Sequence, residues 1–269
     1  MSSSPGVPIG TRIGDYRIEG ERRTEDTGVV YDGTHLVLPR HAVIKVSRDK
    51  AASVQVLREA CVLEALSHPG VPRVFECGVL PDKRPWVALE SIDGLSLAET
   101  TKDTPIAISD LATVVRAVAE ILAHAHSRGV VHHRLGEAIV IMTPQRSSPV
   151  CVRGWGHAVV HDSQRASDPT SDILSLGALA YRALLRTPVA PGASAQRSCP
   201  EAPADLTRLI DSMLAENPGE RPTAAEVSER AEWVAETLEA PRARTTTPTA
   251  GMKPLSRTMT PDVVVRIRG

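Results

Sequence analysis

The sequence predicts an α+β chain of two lobes: a small, mostly β lobe with one helix over residues 12–92, and a larger α-helical lobe over 93–240. Three observations carry this. Short β-branched runs bounded by turn residues fill the stretch from Tyr16 to Ile92, with a single helical interruption. Helical periodicity takes over from about residue 108. Between the two, SIDGLSL has neither period and reads as a connector, placing a hinge near 91–95.

The elements follow in order. Residues 1–11 are rich in Ser, Pro and Gly and are expected to be disordered. YRIE and VVYDGTHL read as strands around a turn, and HAVIKVS is a third, with β-branched residues flanking Lys45. Residues 51–67 form the expected helix, with Val54, Leu57 and Cys61 at helical spacing and His-Pro-Gly stopping it at 68–70. RVFECGVL and RPWVALESI are further strands, split by the turn PDKR. In the larger lobe, 108–129 is a helix with Ser109 as its expected N-cap. Leu111, Val114, Val115, Val118, Ile121 and Leu122 form its apolar side, and Gly129 ends it. Residues 171–185, 202–218 and 223–240 give three more helices. From Pro241 the chain turns rich in Thr, Pro and Arg and is expected to be a disordered basic tail to 269; its last residues, VVVRIRG, would form a strand only against a partner.

Composition bounds the function. Hydrophobic residues make up 42% and aromatics 3%, so the core must be built from Leu, Val, Ile and Ala. With 31 basic and 32 acidic residues, no global charge points to nucleic acid or to a membrane. The tail holds six basic residues and one acid, a balance of +5, which leaves −6 on the body; the two are electrostatically complementary. Cys61, Cys77, Cys151 and Cys199 form no C-x-x-C pair and read as reduced thiols. No stretch approaches 18 apolar residues and the N-terminus has no apolar signal-like run, so a cytoplasmic location is expected.

Several motifs then stand in a telling sequence. IKV carries Lys45. LREACVLEALSHPGVPRV carries Glu59. VVHHRLGEAIVI precedes GWG (154–156). SDILSLGALAYRALL opens near Asp172, and LAENPGERPTAAEV carries Arg221. In this order and spacing they resemble the eukaryotic-like serine/threonine protein kinases of bacteria, from about Tyr16 to Leu238. The resemblance implies a bilobal protein-kinase-like fold. It also implies roles for particular positions, several of which hold the wrong residue.

Phosphoryl transfer needs positioning and charge neutralisation. The family's loop over the phosphates is glycine-rich. Gly28 and Val30 match its end, but Arg23 and Glu25 stand at the other two glycine positions, and Glu25 would repel phosphate. The Lys45–Glu59 pair survives; Val56, Val62 and Leu63 share a helical side with Glu59, so its carboxylate faces inward and Lys45 is its natural partner, either to bind phosphate as the resemblance implies or, as expected with the other phosphate-handling parts missing, to fix the helix. In the catalytic loop His132 takes the histidine position and Arg134 the aspartate position, or the aspartate is deleted. Arginine cannot accept a proton. Ala138 falls at the metal-binding asparagine and Gly154 at the metal-binding aspartate, and neither offers side-chain oxygen to magnesium. Trp155 would fill the adjacent packing position. Only 15 residues (157–171) separate Gly156 from Asp172, with no A-P-E, so the peptide platform is expected to be absent and Arg221 to find Asp211, Glu216, Glu220 or solvent. His133 reads as a loop-packing residue, and His124 and His126 lie two apart on a helix, facing different sides; no metal set is expected.

The sequence therefore reads as a pseudokinase, a regulatory or scaffolding module without a catalytic residue or metal. Its expected partner is a protein, an active kinase or a substrate of one. No cofactor is expected; the alternative is ATP held without magnesium in a vestigial pocket of Lys45, Glu59, Gly28, Val30, Glu90 and Ile92. A second alternative is an enzyme with rewired chemistry, for which Glu137 or Asp162 would supply the acid. Six tail threonines, Thr245, Thr246, Thr247, Thr249, Thr258 and Thr260, are candidate phosphorylation sites, Thr247 and Thr260 preceding proline.

Overall fold

The structure is a computed structural model describing residues 6–160 and 168–239. The tail with its threonines and VVVRIRG, the first five residues and Asp162 lie outside the described residues.

The small lobe is one six-stranded antiparallel sheet. Its strands are β1 (Arg12–Ile13), β2 (Tyr16–Glu25), β3 (Gly28–His35), β4 (His41–Ser47), β5 (Val74–Val79) and β6 (Pro85–Glu90), in the order β1-β2-β3-β4-β6-β5. Alternation fixes which side each residue faces. On β4, Ala42, Ile44 and Val46 are buried with Ile13, Tyr16, Ile18, Tyr31, Trp86 and Ala88 in a small core. Val43 and Lys45 therefore face the other way, toward the single helix of the lobe and the interlobe cleft.

That helix, α1 (Lys50–Leu66), starts at Asp49, whose carboxylate accepts from the Ala52 amide at 2.9 Å. It ends where Ser67 adopts a left-handed φ of 42° and its amide donates to the Leu63 carbonyl. Val56, Leu63 and Leu66 are at most 3% exposed and join the main core, each burial contributing about 1.5–3 kcal/mol.

Two expectations on helix ends are corrected. Ser109 does not cap. The helix α3 (Ile108–His126) has its N-cap two residues earlier, at Ala107, with no side-chain cap bond, leaving the Ser109 hydroxyl inside the first turn. Nor does a helix run over 202–218: after α6 (Ala204–Met213) it stops, because the Pro218 ring would clash with the carbonyl four residues back. Asn217 instead caps a short 3₁₀ turn at Pro218–Glu220, accepting from the Gly219 amide at 3.1 Å.

The rest of the large lobe is α2 (Leu97–Thr100), β7 (Val130–Val131), β8 (Val140–Met142), β9 (Val150–Val152), β10 (Val159–Val160), α4 (Thr170–Leu185), α5 (Ala195–Ser198) and α7 (Ala224–Glu239). Sequence periodicity misses α2 because one turn has no period; its signal is the capping box between Ser96 and Glu99. The strands pair as β7 with β10 and β8 with β9, flanking the residues at issue below. The six apolar residues singled out on α3 are each at most 1% exposed, packed against α4, α7 and β9. Val87 and Leu89 of β6 lie in the same core cluster, so the apolar interior runs continuously between the lobes.

Candidate functional site

The cleft between the lobes encloses about 430 Å³. Its upper wall is built around Lys45. The Lys45 ammonium lies 2.8 Å from Glu59 Oε2, as the sequence suggested, and also 2.8 Å from Glu25 Oε2. The second contact was not anticipated. Burial draws the Lys45 pKa down, but Glu59 and Glu25 together outweigh it and hold the group above its ordinary 10.5. Burial likewise pushes Glu25 up, and Lys45, then Arg23, pull it below 4.5. Arg23 clasps the same carboxylate at 2.6 Å.

Glu25 reaches Lys45 because the segment over the cleft is a tight hairpin. Glu25 on β2 pairs with Gly28 on β3 across a two-residue turn, Asp26–Thr27. Gly28 serves the sheet: a Cβ there would sit 2.0 Å from the Val46 carbonyl oxygen. A carboxylate, at a position where the resemblance implies glycine, thus sits directly against the lysine.

The lower wall follows β7. Asp172 is fully buried and accepts from the His132 and His133 amides, both at 2.8 Å, and from His126 Nε2 at 3.0 Å. His132 is fully buried, with Nε2 3.0 Å from the Arg153 carbonyl oxygen and its ring edge-on to Trp155 at 4.6 Å. A carbonyl only accepts, so Nε2 carries the proton; Nδ1 accepts from the Arg134 amide at 3.2 Å. Both nitrogens are satisfied in the neutral ring, in keeping with burial lowering its pKa. Trp155 is fully buried and donates to the Val152 carbonyl at 2.8 Å, filling the packing position assigned to it. His133, expected to pack the loop, is instead exposed, with φ 61° and Nδ1 3.4 Å from the Ser171 hydroxyl.

The positions to which the resemblance assigns chemistry hold other groups. Arg134 is exposed and donates to His157 Nε2 at 3.2 Å. Burial first, then Arg134 and Lys45, lower the His157 pKa, which keeps that acceptor free of a proton. Ala138 offers only a methyl group, and its carbonyl accepts from Arg153 at 3.4 Å. Gly154 has a left-handed φ of 85°. Magnesium takes hard oxygen ligands. Hydrogen, methyl and guanidinium supply none, so these positions do not fit a magnesium nucleotide. Among the described residues no three His, Cys, Asp or Glu side chains gather as a metal set.

Glu90 and Ile92 also line the cleft. The Glu90 carboxylate is taken up by Arg146, at 2.6 and 3.2 Å, and by the Arg73 amide at 3.3 Å; Arg146 also donates to the Pro69 carbonyl. Glu137, a candidate acid, is paired with Arg182 at 3.3 Å and does not line the cleft. Arg221 binds no carboxylate among the described residues. It donates to the Ala215, Thr170 and Glu216 carbonyls, while Asp211 accepts from Ser194 and the Ala195 amide. Arg153, His157 and Arg146 carry no motif signal in the sequence; only the fold brings them to the cleft or its hinge.

No family model matches the chain. It is 29% identical to the serine/threonine-protein kinase PknJ of Mycobacterium tuberculosis over 142 residues, 51% of this chain and 24% of PknJ. It is 26% identical to the serine/threonine-protein kinase pkn3 of Myxococcus xanthus over 262 residues, 78% of this chain and 48% of that protein. The chain thus spans about a quarter to a half of these curated relatives. The crystal structure of the Mycobacterium tuberculosis PknI kinase domain superposes with a TM-score of 0.67 at 21% identity, covering 86% of this chain and 99% of that domain.

Proposed function

From a chain with the protein-kinase fold, related to the bacterial eukaryotic-like serine/threonine protein kinases, we propose a pseudokinase that acts through protein contacts. The observation that carries this reading is the fate of Lys45. Its ammonium is paired with both Glu59 and Glu25 at 2.8 Å, so its charge is already neutralised inside the cleft. Around it, Arg134, Ala138 and Gly154 offer no base and no metal oxygen. What remains is a two-lobed body able to regulate or scaffold a protein partner, an active kinase or a substrate of one.

The test is transfer of radioactive γ-phosphate from ATP, with magnesium or manganese, to the protein itself and to generic protein substrates. The reading expects no incorporation above background. Incorporation that disappears in Lys45→Met would overturn it.

A further inference from the structure

Aromatic side chains are scarce in this chain, three Trp, three Tyr and one Phe, and all but one are buried or partly buried. The exception is Trp233, 53% exposed in the C-terminal half of α7. Val227, Ala231 and Val234 turn the other side of that helix into the core. Trp233 lines a groove of about 330 Å³ between α6 and α7, together with Asp205, Arg208, Glu229, Arg230 and Val234. An exposed indole beside a groove has the character of a contact surface, where Trp is enriched among the residues that carry binding.

The charge around this indole is one-sided. Arg208 is paired with Asp205, and Arg230 donates to the Ser212 hydroxyl at 3.2 Å. Glu226 accepts from the Thr223 amide at 2.7 Å. Glu229, Glu232 and Glu236 are exposed and have no hydrogen-bond or ion-pair partner among the described residues. Glu229 and Glu236 share the helical side of Trp233, at i−4 and i+3, and Glu232 borders it. Glu232 and Glu236 are also four apart, a spacing at which like charges repel. Over 226–236 four carboxylates against Arg230 leave a balance of −3. Such a surface turns away the phosphates of lipid or nucleic acid and attracts a cation.

We propose that this groove docks a basic segment of a partner protein, with an arginine guanidinium stacked on the Trp233 ring and neighbouring basic side chains taken up by Glu229, Glu232 and Glu236. Indole is the best of the aromatic faces for a cation, and the planar guanidinium stacks on it as an ammonium does not. A cation there also relieves the repulsion among the three carboxylates. The proposal rests on the reading of a body that acts through protein contacts and gives that body one contact surface and its partner a chemistry.

The test is fluorescence anisotropy on the full chain with three labelled peptides of alternating sequence, Arg-Ala, Lys-Ala and Glu-Ala, at about 0.05 and about 0.5 M salt. The Arg-Ala peptide should bind at low salt, several-fold tighter than Lys-Ala, and should weaken at high salt; the Glu-Ala peptide should not bind. Trp233→Ala should weaken Arg-Ala binding about tenfold, and Trp233→Phe less. Glu229→Gln/Glu236→Gln should weaken it about threefold and flatten its salt dependence. Should Trp233→Ala fold poorly, Trp233→Phe and the glutamine variant carry the comparison. The proposal is overturned by no Arg-Ala binding, by equal binding of Lys-Ala, or by binding that the Trp233 variants leave unchanged. Spermidine competing as tightly as the peptide would assign a small polyamine and overturn it too. So would a dimer in sedimentation velocity that Trp233→Ala dissociates, which assigns a second copy. Tighter Arg-Ala binding in Arg242→Glu/Arg244→Glu would assign the groove to the chain's own basic residues and also sink the proposal. Transfer of γ-phosphate overturns the non-catalytic reading and leaves this surface standing, whereas loss of Trp233-dependent binding sinks only this surface.

Discussion

Replacing Lys45 with methionine removes the cation at the centre of the upper wall. The side chains of Lys45, Glu59 and Glu25 are 12%, 6% and 27% exposed. Glu25 keeps Arg23 at 2.6 Å, so the damage falls on Glu59, the more buried carboxylate. Stranding one member of a buried pair costs about 3–5 kcal/mol; residual exposure and the surviving Arg23 contact place this case near the lower end, about 3 kcal/mol. In a domain of this size each kcal/mol moves the melting point by about 2–4 °C, so Lys45→Met should melt about 6–12 °C lower. The double variant Lys45→Met/Glu59→Leu replaces both partners with apolar groups and should recover most of the loss. Urea unfolding of wild type, both singles and the double gives the coupling between the residues directly. If Lys45→Met lies within about 0.5 kcal/mol of wild type, or the double is no better than the single, the pair does not hold α1 and the argument fails.

Three further outcomes follow from the same physics. Gly28→Ala drives a Cβ to within 2.0 Å of the Val46 carbonyl and should destabilise by about 1–3 kcal/mol; an unchanged melting point would show that the β3–β4 spacing yields. Asp172→Ala strands the buried amide of His132 along with that of His133 and should cost about 3 kcal/mol near neutral pH. Burial pushes the Asp172 carboxyl up, but His126 and the two amides hold it below 3.8. Its contribution is therefore present above pH 3.8 and lost as pH falls through its lower folded value, and the gap between wild type and variant should narrow there. The Cys151 thiol is pushed up to about 12 by burial and the Cys199 thiol is also raised, whereas Cys61 and Cys77 are exposed. Iodoacetamide at about pH 8 should label Cys61 and Cys77 first by mass spectrometry, and equal rates at all four would contradict the buried placement.

Much of the architecture was legible because period and punctuation agree. β4 alternates between buried and less buried residues from His41 to Val46, and α3 carries an apolar residue at nearly every inward position. The exceptions have local causes. A helical pattern running on to Pro218 hides the stop at Met213, and Ser109 looks like a cap only if the helix is started two residues late. In the cleft, that Arg134, Ala138 and Gly154 carry no carboxylate is plain from the sequence alone. What occupies their surroundings is not. That Glu25 turns toward Lys45 depends on hairpin geometry. That Arg153 faces the cleft depends on the turn after β9. That Arg146 meets Glu90 spans 56 positions of sequence.

The Arg146 guanidinium joins the turn after α1, through Pro69, to the end of β6, through Glu90, from its own place between β8 and β9. A hinge pinned in this way leaves little for an incoming protein to rearrange. Encounter should then be a single-step process at about 10⁵–10⁷ M⁻¹s⁻¹, without a slow second phase in stopped-flow traces, and differences between partners should lie in how long each complex lasts.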